Sequence, residues 1–196
     1  MKTRLRVLAA LGLGLYLGLL TFSARAEAPS AALLPWYTND PAIAGFAYDR
    51  LAGCLSERGV FALKPRSEVQ AAVDALNIDL ERTFGLPDDE FKALGQRLGT
   101  RYVLGGAFSI LKELTFSGWR KDVSANLRLH QSSDGGEVGF YQTTTGFSWV
   151  SNKTALDPEA MAARAVDDFC ASIANEAAAG FKPEPDPATD DGMPSY

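Results

Sequence analysis

The fold is decided by the stretch Leu94-Gly95-Gln96-Arg97-Leu98-Gly99-Thr100-Arg101-Tyr102-Val103-Leu104-Gly105-Gly106, in which a helix gives way to a strand. Apolar residues recur at helical spacing from Phe91 to Leu98, and Gly99 stands where a left-handed C-terminal cap is expected. The residues after it are apolar on both phases, which is typical of a strand in the middle of a sheet. A helix followed at once by a central strand predicts an α/β domain.

Upstream of this stretch, the hydrophobic pattern predicts two further strands and two further helices. The continuous apolar run 31–36 indicates a strand covered on both faces, and residues 60–63 indicate a second one. The first helix begins after Asp40, a residue type favoured at helix N-termini. A second helix is expected to begin with a capping box formed by Ser67 and Gln70.

Downstream, the pattern predicts antiparallel strands and a closing helix. Residues 123–130 alternate between apolar and polar side chains, as a half-buried strand does. Asp134-Gly135-Gly136 has the residue types of a tight turn. In the return strand 137–150 the apolar residues change from one face to the other, which predicts a bulge near Gly146. Asp157-Pro158 begins the last helix. The order β-α-β-α-α-β-β-β-α predicts one α/β domain with a mixed parallel and antiparallel sheet.

The first 26 residues follow the logic of bacterial export. Basic residues precede the uncharged run 7–20, and Ala24-Arg25-Ala26 supplies the small residues that a signal peptidase reads. A membrane anchor is the alternative, but a spanning helix needs roughly 20 apolar residues and this run is shorter. We therefore expect a cleaved signal peptide over 1–26, a periplasmic location and no stable membrane insertion after cleavage.

The remaining chain divides into a domain over 27–181 and a proline-rich acidic tail over 182–196, which we expect to be disordered. Cleavage after Ala26 removes four of the 19 basic residues and leaves 15 against 24 acidic ones, a net charge of −9. An acidic protein gains nothing from counterion release, so nucleic acid is an unfavourable partner.

Four local patterns resemble the bacterial envelope fold shared by the TolB amino-terminal domain, the curli secretion protein CsgG and the penicillin-binding-protein activator LpoB. They are Leu33-Leu34-Pro35-Trp36, Lys64-Pro65-Arg66-Ser67, the stretch 94–106 and Asp134-Gly135-Gly136-Glu137-Val138. The resemblance spans nearly the whole predicted domain, and each pattern reflects backbone geometry rather than chemistry. The chain departs from these families because no lipid-attachment cysteine follows the apolar run and no membrane-spanning hairpin or propeller domain is evident.

The resemblance implies a non-enzymatic envelope module that works through contacts with other envelope proteins. It leaves open the identity of these partners and the oligomeric state of the chain. Fold analogy alone is a weak basis for function, so two alternatives are kept. One is a protein that binds a small ligand in a cleft at the strand ends. The other is a hydrolase, which would require a serine or carboxylate site that the sequence does not assemble.

The histidine, cysteine and acidic residues that could act in catalysis or bind a metal are each explained by a structural role. His130, the one histidine, falls on the polar phase of its strand, so we expect it at the surface and not in catalysis. One histidine and two cysteines that are distant in the sequence do not provide the ligands of a zinc site. We interpret Asp88-Asp89-Glu90 as helix capping and Asp167-Asp168 as a solvated helix face. We therefore predict no catalytic residue, metal site or cofactor.

Cys54 and Cys170 are the two cysteines, and each falls on a predicted helix. Exported proteins tend to pair their cysteines, and the resemblance suggests that these two helices share one face of the sheet. A disulfide is therefore expected, with two separate core thiols as the alternative.

Four aromatic residues near the predicted hairpin are candidates for contact with a partner protein. Aromatic side chains on a sheet are usually core residues, but exposed ones are typical of protein interfaces. The candidates are Phe116, Trp119, Phe147 and Trp149.

Overall fold

A computed structural model describes residues 27–80, 86–115, 118–147 and 158–181. Within these ranges the chain forms six strands and four helices around one mixed sheet, which confirms the predicted fold class. The signal peptide (1–26) and the tail (182–196) lie outside the described residues and stay predictions. No helix in the described part of the chain is long and apolar enough to span a membrane.

The strands and helices have the following bounds. The strands are β1 (Ser30–Leu33), β2 (Tyr37–Thr38), β3 (Ala62–Leu63), β4 (Tyr102–Thr115), β5 (Gly118–Gln131) and β6 (Glu137–Phe147). The helices are α1 (Pro41–Glu57), α2 (Arg66–Leu76), α3 (Asp88–Leu98) and α4 (Pro158–Ala179).

The sheet has the order β3-β1-β4-β5-β6, with the short β2 beside β4. Strand β1 pairs in parallel with β3 and β4, and β2 also pairs in parallel with β4. Strands β4, β5 and β6 form an antiparallel meander. Helices connect the parallel strands because a crossover of that kind needs a long connection, whereas hairpins can be tight.

Two hydrophobic cores lie on opposite faces of the sheet. The first core joins α1 and α4 to one face, and Leu51 and Phe169 are buried in it. The second core joins α2 and α3 to the other face, where Val69 and Phe91 pack on β1 and on the start of β4. Helices α2 and α3 cover only part of that face, and no other helix of the described residues lies over the rest.

Glycines explain the stretch that connects α3 to β4. Gly99 adopts a left-handed backbone conformation with φ +61° and ends the helix, as predicted. Gly95 lies directly against Ser132 in the turn after β5, so a side chain at this position would overlap the Ser132 hydroxyl. The two glycines therefore serve different purposes, one in ending the helix and one in close packing.

Two local predictions were wrong, and one short element was not predicted. Helix α2 begins at Arg66 after Pro65 instead of using a capping box, and the Gln70 Nε2 donates a hydrogen bond to Asp74 Oδ1 at 2.9 Å. The register shift in the β5–β6 pair falls beside Leu129 and His130, and Gly146 pairs regularly with Asp122. The sequence pattern also gave no sign of β2, since a two-residue strand has no periodicity.

Candidate functional site: an open face of the sheet

The face of the sheet that carries the second core is only partly covered. Val103 of β4 packs under α2 and α3, and alternation places every second residue beyond it on the same face. The β4–β5–β6 register extends this face across three strands. We call the uncovered part the open face, and its members are Tyr37, Ala107, Ser109, Leu111, Asp122, Ser124, Asn126, Arg128, Phe140, Gln142 and Thr144.

All three large hydrophobic side chains that are exposed in the described part of the chain lie on this open face. Leu111 is 57% exposed, Phe140 46% and Tyr37 45%. Tyr37 joins the face because β2 pairs with β4 at Ala107. Soluble proteins tolerate scattered apolar residues, so the informative observation is that these three share one surface.

Arg128 stands between the apolar residues and the covered part of the sheet. Its guanidinium carbon lies 5.8 Å from the centroid of the Phe140 ring, within range of a cation–π interaction. Its Nε lies 3.3 Å from a carboxylate oxygen of Glu137. The arginine is thereby held over the sheet, with its planar group beside an aromatic ring.

His130 is buried, which makes the predicted surface position wrong. Its side chain is 1% exposed, and its ring stacks on the ring of Phe91 with centroids 3.7 Å apart. The Nδ1 donates a hydrogen bond to the carbonyl oxygen of Gly135 at 2.8 Å. The strand phase was read correctly, but helix α3 covers the polar phase at this end of β5.

Burial lowers the pKa of His130 below its usual 6.5, and the positive charge of Arg128 lowers the pKa further. The hydrogen bond to Gly135 and the charge of Asp88 act in the opposite direction and raise the pKa. Because burial has the largest effect, the imidazole is neutral at pH 7. A neutral, enclosed ring whose Nδ1 is already bonded has no access to a substrate.

The carboxylate clusters have separate surroundings. Asp88, Asp89 and Glu90 occupy the first turn of α3, where negative charge is favoured by the helix dipole. Asp167 does more than face solvent, because its two oxygens accept hydrogen bonds from Arg50 Nε and Nη2 at 2.9 and 2.7 Å. In the described part of the chain, no three metal-ligating side chains come together.

A disulfide joins Cys54 of α1 to Cys170 of α4, whose Cα atoms are 6.3 Å apart. The Arg50–Asp167 ion pair links the same two helices. The expected pairing of the helices on one face of the sheet is therefore present in the fold.

The four aromatic candidates fall at or beyond the end of the described hairpin. Phe116 and Trp149 lie outside the described residues. The backbone register places Trp119 beside Leu114 and Phe147 beside Lys121, at the end of the sheet nearest Leu111. Their role in contacting a partner stays a prediction.

Two shallow depressions bear on the ligand-binding alternative. One, of about 510 Å³, lies between β6 and the end of α4 and is lined mainly by apolar groups with the Glu176 carboxylate. The other, of about 480 Å³, lies where β1 and β4 begin and includes Arg58 and Arg101. Both arginines are exposed, and neither depression encloses a set of converging buried polar groups.

Comparison with solved structures shows that this fold is known. The hypothetical protein CT253 of Chlamydia trachomatis is similar over 78% of this chain and 99% of its own, with a TM-score of 0.51 and 14% identity. Lipoprotein GNA1162 of Neisseria meningitidis is similar over 78% of this chain and 99% of its own, with a TM-score of 0.49 and 16% identity. The LpoB C-terminal domain of Salmonella enterica is similar over 65% of this chain and 90% of its own, with a TM-score of 0.44 and 17% identity.

No protein-family model matches the chain, and no curated protein matches it. At 14% identity the likeness to the chlamydial protein shows a shared fold alone. The TolB and CsgG part of the resemblance remains a prediction.

Proposed function

We propose that this chain is a non-enzymatic protein of the bacterial envelope that binds another envelope protein through the open face. The observation that carries this proposal is the grouping of Tyr37, Leu111 and Phe140 on one uncovered sheet surface. The envelope location rests on the export signal expected over residues 1–26.

The composition of the open face favours a protein as its occupant. Protein interfaces are enriched in aromatic residues and arginine, and depleted of lysine, glutamate, aspartate, serine and alanine. Tyr37, Phe140 and Arg128 supply the enriched types. The face as defined has no lysine or glutamate, and its one carboxylate, Asp122, lies towards the end of the hairpin. Small polar residues between them, such as Ser109 and Ser124, can hydrogen-bond to a partner without a large desolvation penalty.

The scaffold under this face is a paired sheet packed on its other side. Every strand that contributes to it is paired in the sheet, and the opposite face is packed against α1 and α4. Because the backbone under this face is already hydrogen-bonded in the sheet, binding needs little further ordering of the backbone. The open face therefore combines exposed apolar area with a preorganised backbone.

The two alternatives receive less support. A hydrolase would need an accessible base, whereas His130 is enclosed by Phe91 and bonded to Gly135. A small-ligand protein would need a cleft with buried converging polar groups, and the two depressions do not provide one among the described residues.

Photo-crosslinking in intact cells tests the proposal, with a photoreactive residue at Ser109 in the middle of the open face. We expect one envelope protein to be captured, and Tyr37→Ser and Leu111→Ser each to weaken capture roughly tenfold, as loss of about 1.4 kcal/mol would. Gln96→Ser, at an exposed position of α3, is the control and should leave capture unchanged. Undiminished capture in both open-face variants would rule out this surface as the binding site.

A further inference from the structure

Phe181 follows α4, and its aromatic ring is packed on the domain. It stacks on the ring of Phe61 with centroids 5.6 Å apart and meets the ring of Tyr102 edge-on at 5.2 Å. Gly180 has φ +77° and its N–H donates to the Ala177 carbonyl, so the chain turns away from the axis of α4 at this point. The segment after Phe181 therefore starts from a fixed place on the domain.

Phe181 also borders the depression of about 480 Å³ that lies where β1 and β4 begin. We call this depression the basic groove. Val60 and Tyr102 contribute to its apolar surface, and Arg58 and Arg101 are its basic residues. Both arginines are exposed, and neither forms an ion pair within the described part of the chain. The groove therefore presents two guanidinium groups close to the place where α4 ends.

Glu27 is the one carboxylate in the lining of the basic groove. The cleavage expected after Ala26 leaves a free amino group on Glu27, and most α-amino groups are protonated at pH 7. This amino group offsets the carboxylate of its own residue, so the two arginines set the net charge of the groove.

Residues 182–196 have a charge opposite to that of the basic groove, with four acidic residues and one lysine. Glu184 and Asp186 are the first two acidic residues, and each precedes a proline, which favours an extended conformation. An extended segment of this kind advances about 3.1 Å per residue. Glu184 can therefore reach about 9 Å beyond Phe181, and Asp186 about 16 Å.

The second depression bordered by Phe181 is less suited to an acidic segment. It lies between β6 and the end of α4, and its charged group is the carboxylate of Glu176. Because like charges repel, the electrostatics favour the basic groove over this depression.

We propose that the segment 182–187 docks in the basic groove of its own chain, with the carboxylates of Glu184 and Asp186 paired to Arg58 and Arg101. A segment tethered at the border of its site has an effective concentration in the millimolar range, so weak contacts are sufficient. Its three prolines restrict the free segment, which lowers the conformational entropy that docking costs. Composition alone predicts disorder here because it does not count contacts with the folded domain.

The basic groove is a separate surface from the open face, and no residue of the open face lines it. The docking therefore does not rest on the proposed function, and either proposal can fail without the other.

Backbone NMR relaxation of the purified protein provides the test. Ordered backbone has order parameters well above about 0.6, and flexible backbone lies below this value. We expect ordered amides at Glu184 and Asp186 and flexible ones at Asp190 and Asp191, which an extended chain carries about 28–31 Å beyond Phe181. Flexible amides at all four residues overturn the proposal.

Charge reversal tests the pairing itself. Arg58→Glu with Arg101→Glu should make the amides of Glu184 and Asp186 flexible, and the fold should remain because both arginines are exposed. Adding Glu184→Lys with Asp186→Lys should restore the order. Arg97→Glu, at an exposed position of α3, is the control and should change neither amide. A segment that stays ordered in the double arginine variant contradicts the pairing.

Neutral variants of the segment provide a second measurement that leaves the groove unaltered. Glu184→Gln with Asp186→Asn should shift the amide signal of Gly59, which lines the basic groove. Asp190→Asn with Asp191→Asn is the matched control and should leave that signal in place. Equal shifts for the two pairs of substitutions contradict docking through the first pair.

Two further outcomes identify a different arrangement and overturn the proposal. A shift at Gly139 in place of Gly59 would place the segment in the depression beside β6. Order parameters that rise with protein concentration would show that the groove is occupied by the segment of a second copy.

Discussion

Gly95 of α3 lies in direct contact with Ser132 of the turn after β5, so that a Cβ built on the glycine would overlap the serine hydroxyl. The Ser132 N–H donates to the Arg101 carbonyl at 2.9 Å, which fixes the turn beside the start of β4. Helix α3, the start of β4 and the turn after β5 are thus in contact here. Gly95 permits this contact because it has no side chain.

Gly95→Ala should therefore destabilise the fold by about 1–3 kcal/mol, the usual cost of overpacking. Chemical unfolding measures this loss, and adding Ser132→Gly should restore part of it because the overlapping atoms are removed. Gly53→Ala in α1 is the matched control, since a Cβ there meets nothing within 4 Å. It should stabilise the protein by up to about 1 kcal/mol. Equal effects of the two glycine substitutions contradict the packing explanation.

The Cys54–Cys170 disulfide should stabilise the contact between α1 and α4 more than the ion pair between the same helices does. Its cysteines are 116 residues apart, and removal of a native disulfide typically costs about 2–5 kcal/mol. The double variant Cys54→Ala with Cys170→Ala should lose stability of this order in urea unfolding. Arg50→Ala breaks the exposed ion pair between the same helices and should cost less than about 1 kcal/mol. Two free thiols in the mass of the protein, purified without reductant, would show that the bridge does not form.

His130 should make stability depend on pH in the range where histidine titrates. Its pKa is lower in the folded protein than the usual 6.5, so the folded state binds the proton less readily than the unfolded chain. The stabilisation is complete above the unfolded pKa and is lost as the pH falls towards the folded pKa.

His130→Phe keeps the ring against Phe91 and removes the titrating nitrogens, at the loss of the Gly135 hydrogen bond. The free energy of unfolding, measured from about pH 8 down to about pH 5, should therefore fall more steeply for the unaltered protein than for the variant. Asp88 and Glu137, whose oxygens lie 3.8 Å from the ring nitrogens, are present in both proteins. A constant difference across this range contradicts the lowered pKa.

Tyr141→Phe should loosen β6 without unfolding the domain. The substitution removes the hydrogen bond to Glu176 and keeps the buried ring, so we expect a loss of about 1 kcal/mol. Hydrogen exchange should quicken at the amides of β6 and remain unchanged in β4. Tyr37→Phe, at an exposed position, is the control. Unchanged exchange in β6 would show that the hydroxyl does not anchor the edge.

Much of the fold could be predicted because its longer helices and strands follow from local sequence patterns. Helix α3, its end at Gly99 and the strand after it follow from residues adjacent in the chain. The alternation over 123–130 correctly assigned Leu127 and Leu129 to the core. Local patterns were less reliable at element ends, where Pro65 rather than Ser67 precedes the first turn of α2.

The candidate site was less predictable, since its members are distant in the sequence. Tyr37, Leu111 and Phe140 gave no local signal, and each looked like an ordinary residue of a strand or a connection. The sequence pointed instead to aromatic residues near the hairpin, such as Trp119. The backbone register places Trp119 at the end of the β4–β5 pair, beyond the centre of the open face.

Local sequence patterns were sufficient to predict the order of the longer elements, the helix end at Gly99 and the apolar phase of β5, because these depend on neighbours a few residues away. Only the packing of distant segments places α3 over His130 and leaves Leu111 and Phe140 without a covering helix among the described residues. The reason is physical: whether a strand residue is buried depends on which helix lies over it, and that helix comes from another part of the chain.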